Sequence, residues 1–177
     1  MNEKNLPDRV ARDFVHDVEV YVTGMSPPPA GDPMRTVPPL VEEAHELALI
    51  RHGKEWLAWG SSGMPLTGEQ IAGHVETAAQ VLHADGWNPS DTAQRGIRDA
   101  LVSAEILEGQ RFTQDTRWVI EHILNLLIRA STGAPSAFYE TWDMHPSRTV
   151  GEVYTILAAA AAYARRYGLA DAAQPRA

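Results

Sequence analysis

Asp143, His145 and Arg148 fall within one short turn, Trp142-Asp-Met-His-Pro-Ser-Arg148. A carboxylate, an imidazole and a guanidinium so close together are the ingredients of an acid–base or anion-binding group. Upstream, His122 lies inside the apolar stripe Val119, Ile123, Leu126, Leu127, Ala130. A neutral histidine there must find hydrogen bonds for its ring nitrogens or it is costly. The expectation for His122 is a core histidine satisfied by a carbonyl or hydroxyl. The functional alternative makes it a buried base beside Asp143 or His145, at a pocket between the last two helices. The turn has a structural reading too: Asp143 caps the chain locally, Arg148 pairs with it, and His145 is exposed before Pro146. The structural reading outweighs the chemical one. No Gly-x-Ser-x-Gly, phosphate-binding glycine loop or His-x-x-x-His accompanies the turn, so no reaction class follows and an enzyme is not expected.

Two further groupings could carry chemistry. Glu42-x-x-His45 places a carboxylate and an imidazole on one helical face, as in di-iron bundles, but those sites need a second such pair and further inward carboxylates. The sequence has no second Glu-x-x-His, so no metal and no cofactor are expected. Tryptophans at 56, 59, 87, 118 and 142 lie at or near the ends of expected elements. Such rings usually seal a bundle end with the indole N–H turned to a carbonyl or water. Trp56 and Trp59, beside Gly60-Ser-Ser-Gly63, are the pair expected to be exposed and to meet a partner.

The elements that must position these groups read as helices. Pro38-Pro39 belongs in a first turn, with Leu40, Ala44, Leu47 and Ala48 inward and Gly53 as the stop. Thr67 and Gln70 have capping-box spacing and open a helix through Ile71, Val75, Ala78, Ala79 and Leu82 to Gly86-Trp87. Asn88-Pro89 is expected to restart it, running through Ile97, Leu101 and Ala104 to Gly109. Thr113 caps a fourth helix that stops at Gly133-Ala-Pro135, and Ser136 begins a short helical turn. Thr149 and Glu152 form another capping box. Behind it Val150, Val153, Tyr154, Leu157, Ala160, Ala161 and Ala164 make one stripe, and Gly168 ends the chain's last helix. An alanine-lined helix lets neighbours approach closely, so this one is expected innermost. The expected fold is all-α, a compact antiparallel bundle of four or five helices with an N-terminal arm. Residues 1–36 form that arm and a proline-rich linker, with residues 8–22 leaning to helix. Residues 37–168 form the bundle and 169–177 a tail.

Charge narrows the partners. The 177-residue chain carries a net −8. Between residues 67 and 110 Glu69, Glu76, Asp85, Asp91, Asp99, Glu105 and Glu108 face only Arg95 and Arg98. A helix-turn-helix reading around Gly86-Trp-Asn-Pro would set those carboxylates against phosphates, so direct nucleic-acid binding is not expected. No apolar run approaches the length of a membrane helix. The absence of cysteine removes disulfides and thiolate chemistry, and with no basic-then-apolar leader it fits a cytoplasmic protein.

From Ile71 to about residue 165 the order of motifs resembles a family of small uncharacterised proteins of actinobacteria and their phages. The shared features are the Ala-Ala helix ending in Gly86-Trp87 and the small-residue helix near Arg95-Gly96. Trp142-Asp143, Arg148-Thr149 and Glu152-Val153 then precede an alanine-rich helix. Members often carry a cysteine where this chain has Gln94-Arg95, so no thiol role carries over. The resemblance implies fold and origin, with no activity attached. Taken together, the expectation is a non-catalytic protein-interaction or regulatory module of phage or mobile-element origin. Its contact would be the arm or the Trp56/Trp59 edge. The alternative is a small-molecule binder or enzyme built on His122, Asp143, His145 and Arg148. The sequence does not set the oligomeric state.

Overall fold

The computed structural model describes residues 33–54, 56–58 and 62–171, the side chains of 33–36 and 58 excepted. The expected N-terminal helix, the linker up to Asp32, Trp59 and most of the tail lie outside the described residues, and residues 33–36, read as the end of the linker, are helical. The chain divides at Asp32, and the second unit, Pro33–Ala177, contains everything described below. Its helices are α1 (Pro33–His52), α2 (Gly68–Asp85), α3 (Ile97–Glu108), α4 (Gln114–Thr132), the short α5 (Tyr139–Asp143) and α6 (Val150–Tyr167). Among the described residues there is no strand, only isolated bridges at Thr67–Leu169 and Asn88–Arg95. The all-α bundle read from the sequence is the observed fold.

Helix starts follow the expected chemistry where the cap is local. Thr67 Oγ1 accepts from the Gln70 N–H at 3.1 Å, though the Gln70 amide turns away and donates to the Arg111 carbonyl at 3.0 Å. At α6 the box is complete: Thr149 Oγ1 accepts from Glu152 N–H, and Glu152 Oε2 accepts from Thr149 N–H at 2.8 Å. Two starts differ from expectation. Helix α1 begins at Pro33, so Pro38 and Pro39 lie inside it. Helix α3 begins at Ile97, not at Asn88-Pro89. Asn88 and Arg95 exchange backbone hydrogen bonds of 2.9 and 3.0 Å, closing residues 88–95 into a loop whose Gln94 is left-handed (φ +50°).

The core is shared between two helices of different character. Helix α4 supplies the large side chains, with Ile120, Ile123, Leu124, Leu126, Leu127 and Ile128 fully buried. Helix α6 supplies Ala159, Ala160, Ala161 and Ala164 along with Val153, Leu157 and Tyr163, and packs against α1, α2 and α4. The alanine helix is therefore interior but not alone at the centre. It runs antiparallel to α2: Gly68 meets Gly168 at one end, and His83 meets Tyr154 (ring centroids 6.4 Å apart) at the other. A Cβ on Gly68 would sit 2.2 Å from the Ala164 carbonyl oxygen, and one on Gly168 2.5 Å from Gly68 Cα. Only glycine permits two backbones to come so close. The Gly68 N–H then donates to the Leu169 carbonyl at 2.8 Å, which ties the start of the tail to α2.

Candidate functional site

Asp143 is buried, and its carboxylate is taken up by the fold. Oδ1 accepts from the Trp87 indole N–H and Oδ2 from the Ile97 backbone N–H, both at 2.8 Å. Ile97 is the first residue of α3, and its cap position is Gly96, which has no side chain to offer. Asp143 thus supplies from α5 the carboxylate that an N-cap normally provides locally, against the positive end of the α3 dipole. Gly96 makes room, since a Cβ there would lie 2.7 Å from Asp143 Oδ2. Asp99 completes the start by accepting from the Gly96 N–H at 3.0 Å. Burial raises the Asp143 pKa from the usual carboxylate value, while the two donated hydrogen bonds act the other way.

The other candidates read from the sequence are engaged separately. Arg148 donates to Glu152 at 2.9 Å and lies over the Trp142 ring, 4.9 Å from its centroid; its Nε is buried with no partner among the described residues. The expected Asp143–Arg148 pair is replaced by Asp143–Trp87 and Arg148–Glu152 because the capping box brings Glu152 back over the turn. His145 Nδ1 lies 2.8 Å from the Ser147 hydroxyl, within its own turn. His122 is half-buried on the flank of α4 and donates from Nδ1 to the Trp118 carbonyl one turn back, at 2.8 Å. No hydrogen bond or ion pair among the described residues joins any two of His122, Asp143, His145 and Arg148. Glu42 and His45 also part company. Glu42 pairs with Arg166 at 2.8 Å, while His45 approaches the Tyr163 hydroxyl at 3.2 Å and stacks on Tyr167 at 3.5 Å. No cluster of three metal-ligating side chains occurs among the described residues.

The histidine that does sit in the core is His74 of α2, which the apolar pattern around it does not single out. Its Nε2 faces the Leu101 carbonyl at 3.0 Å and its Nδ1 the Thr116 hydroxyl at 2.8 Å, with the ring stacked on Phe112 at 4.8 Å. A carbonyl can only accept, so Nε2 carries a proton and Nδ1 of the neutral ring accepts from Thr116. Burial lowers the His74 pKa and favours that neutral form. The Thr116 hydroxyl has a second acceptor within reach, the Thr113 carbonyl at 2.7 Å, beside the N-terminus of α4.

The profile of a family of unknown function, DUF6197, matches residues 66–163, more than half of the chain. The chain belongs to the DUF6197 family. No curated protein and no solved structure matches it. The DUF6197 region begins just before α2 and ends inside α6, so it holds the whole Trp87–Gly96–Asp143 joint and the His74–Thr116 pair. Within it the motif residues Trp87, Gly96 and Asp143 meet in one joint, and Trp142, Arg148, Thr149 and Glu152 meet beside it through the ion pair, the capping box and the ring contact.

A different group of side chains faces outward where α1 ends against α4. Trp118 and His122 meet at a tilt of 44° with ring centroids 4.1 Å apart, Trp56 lies 6.2 Å from His122, and His52 lies 5.2 Å from Trp56 and 6.1 Å from His122. Trp56 is half-buried, whereas Trp118 is 39% exposed. Of the expected aromatic edge, Trp56 is therefore accompanied by Trp118 and two imidazoles. Spacing along α4 could have found Trp118 and His122 as an i, i+4 pair on one face; their meeting with His52 needed the tertiary structure. Burial lowers the His52 pKa, helped by His122, Arg51 and Arg129 nearby.

Proposed function

We propose that this DUF6197 protein is a non-catalytic protein-binding module whose contact face is the Trp56, Trp118, His52 and His122 cluster. The single observation that carries the reading is this half-exposed pairing of two indoles with two imidazoles. Large amphipathic rings at a partly open surface supply much contact area and lose little side-chain freedom on binding, which is why they dominate interface energetics. The alternative, a small-molecule binder or enzyme using His122, Asp143, His145 and Arg148, has no shared geometry to support it among the described residues. A cytoplasmic setting in actinobacteria or their phages belongs to the same proposal, supported by the cysteine-free sequence and by the order of its motifs.

Photo-cross-linking in the native host tests the proposal. Benzoylphenylalanine in place of Trp118 is expected to capture a recurrent protein, and the same residue in place of exposed Gln80 on α2 is not. Equal capture at both positions, or none at 118, would overturn it.

A further inference from the structure

The aromatic cluster continues into a cationic strip on a chain of net −8. Arg51 donates to the Pro135 carbonyl at 3.2 Å and Arg129 to the Ala137 carbonyl at 3.0 Å. Two guanidiniums thus converge on one three-residue stretch. Both arginines satisfy backbone oxygens, and neither forms an ion pair with a carboxylate among the described residues. This contrasts with Arg98, Arg111, Arg117, Arg148, Arg165 and Arg166, each of which has a glutamate. Arg129 also lies 5.4 Å over the exposed Phe138 ring. On α4, Trp118, His122 and Arg129 share one face at spacings of four and seven. The ends of that face are eleven residues apart, about 16 Å along the helix, which matches roughly five residues of extended chain.

We infer that this strip, from Phe138 and Arg129 through Arg51 and His52 to His122 and Trp118, recognises an acidic partner segment carrying one or two aromatic side chains. The inference rests on the protein-binding reading above and adds the chemistry of the partner. Carboxylates of the segment would meet Arg51 and Arg129, whose charges no glutamate among the described residues neutralises. Its rings would lie against Trp118 and Phe138. A nucleic-acid strand offers the same pairing of anion and ring, but the net charge of −8 repels an extended polyanion. A short acidic peptide feels that repulsion over far fewer charges.

The test is titration of the full chain with acetyl-Asp-Glu-Phe-Asp-Glu-Phe-amide, followed by the indole N–H resonances of Trp56 and Trp118. The Lys/Arg counterpart peptide and an octathymidylate serve as comparison ligands. The acidic peptide is expected to move the Trp118 resonance, with affinity falling as salt rises and the basic peptide silent. R51E/R129E should weaken binding by about tenfold or more, and R51Q/R129Q, which adds no carboxylate, by a smaller factor. Circular dichroism confirms that each variant is folded. Acidic peptide binding that neither variant changes, no shift at millimolar peptide, or a shift with octathymidylate alone would each overturn the inference. If cross-linking at 118 captures a protein while the acidic peptide fails, the charge assignment falls and the protein-binding reading stands. If cross-linking is silent, that reading itself falls.

Discussion

At Asp143 a side chain that looks chemical in the sequence holds the fold together instead, and the prediction follows from the donors it serves. Asp143→Ala leaves the Trp87 indole N–H and the Ile97 N–H without their acceptor in a buried site. Each stranded buried donor costs about 1–3 kcal/mol, so a loss of roughly 2–6 kcal/mol is expected in urea unfolding. Trp87→Phe removes one donor and leaves the Ile97 cap in place, so it should cost less; the reverse order would refute the assignment of Asp143 as the α3 cap. His74 makes the second prediction. Burial lowers its folded pKa from the ordinary 6.5, so below pH 6.5 the unfolded chain binds more protons than the folded one. Its contribution to stability is complete above pH 6.5 and is lost as the pH falls towards the folded pKa. His45 and His52 shift in the same direction, and Asp143, whose pKa is raised, opposes them from pH 3.8 upward. The measurement is therefore a difference: His74→Gln should lose less stability than the parent between pH 7 and pH 5. Equal slopes for the two proteins would mean that His74 is not held neutral.

Helices are legible in the sequence where their ends are set by neighbours in the chain, and illegible where the cap comes from afar. Thr67 and Thr149 each announce a helix because their hydroxyl accepts from an N–H three residues on, and at Thr113 the local hydroxyl is that of Thr116, which accepts from the Thr113 N–H. Asn88-Pro89 carries the same local signal, yet α3 waits until Ile97 because Asp143, a distant residue in the chain, holds the positive end there. The four candidate residues are legible one by one but not as a set: His122, His145 and Arg148 each turn to a partner within four residues, Trp118, Ser147 and Glu152, and only Asp143 reaches a distant one, Trp87. The α2–α6 crossing shows the same limit, because neither Gly68 nor Gly168 marks a close approach by sequence alone. Their substitution gives the third prediction. Gly68→Ala sets a methyl 2.2 Å from a backbone oxygen that cannot rotate away, so α2 and α6 must separate. Gly151→Ala, in open space on α6, meets nothing within 4 Å. It should stabilise the helix by about 0.5–1 kcal/mol through propensity and unfolded-state entropy. Opposite signs in thermal melts are expected, and a neutral Gly68→Ala would show that the two backbones are not in contact at this crossing.

Across the whole molecule, charge and core act on different scales. Arg165 bridges Glu69 and Glu76 of α2, with contacts of 2.8 and 2.5 Å, and Arg166 reaches Glu42 of α1 at 2.8 Å. These side chains are about half exposed, where solvent and salt reduce an ion pair to less than about 1 kcal/mol. They orient α6 against α1 and α2 more than they hold it. Among the described residues the apolar core runs from Val37 to Ala164, within the unit that begins at Pro33. Burial of that core scales with apolar area and outweighs the surface ion pairs. The fourth prediction separates the two contributions. A chain beginning at Pro33 should unfold cooperatively with a midpoint within a few degrees of the full chain, because it keeps every described core residue. Adding Arg165→Ala to it should lower the midpoint slightly in low salt and hardly at all in 1 M salt, where the screening length is about 3 Å. A salt-independent loss would instead assign Arg165 to packing through its aliphatic stem. Failure of the shortened chain to fold would mean that the core closed by α1 is not sufficient and that residues before Pro33 complete it.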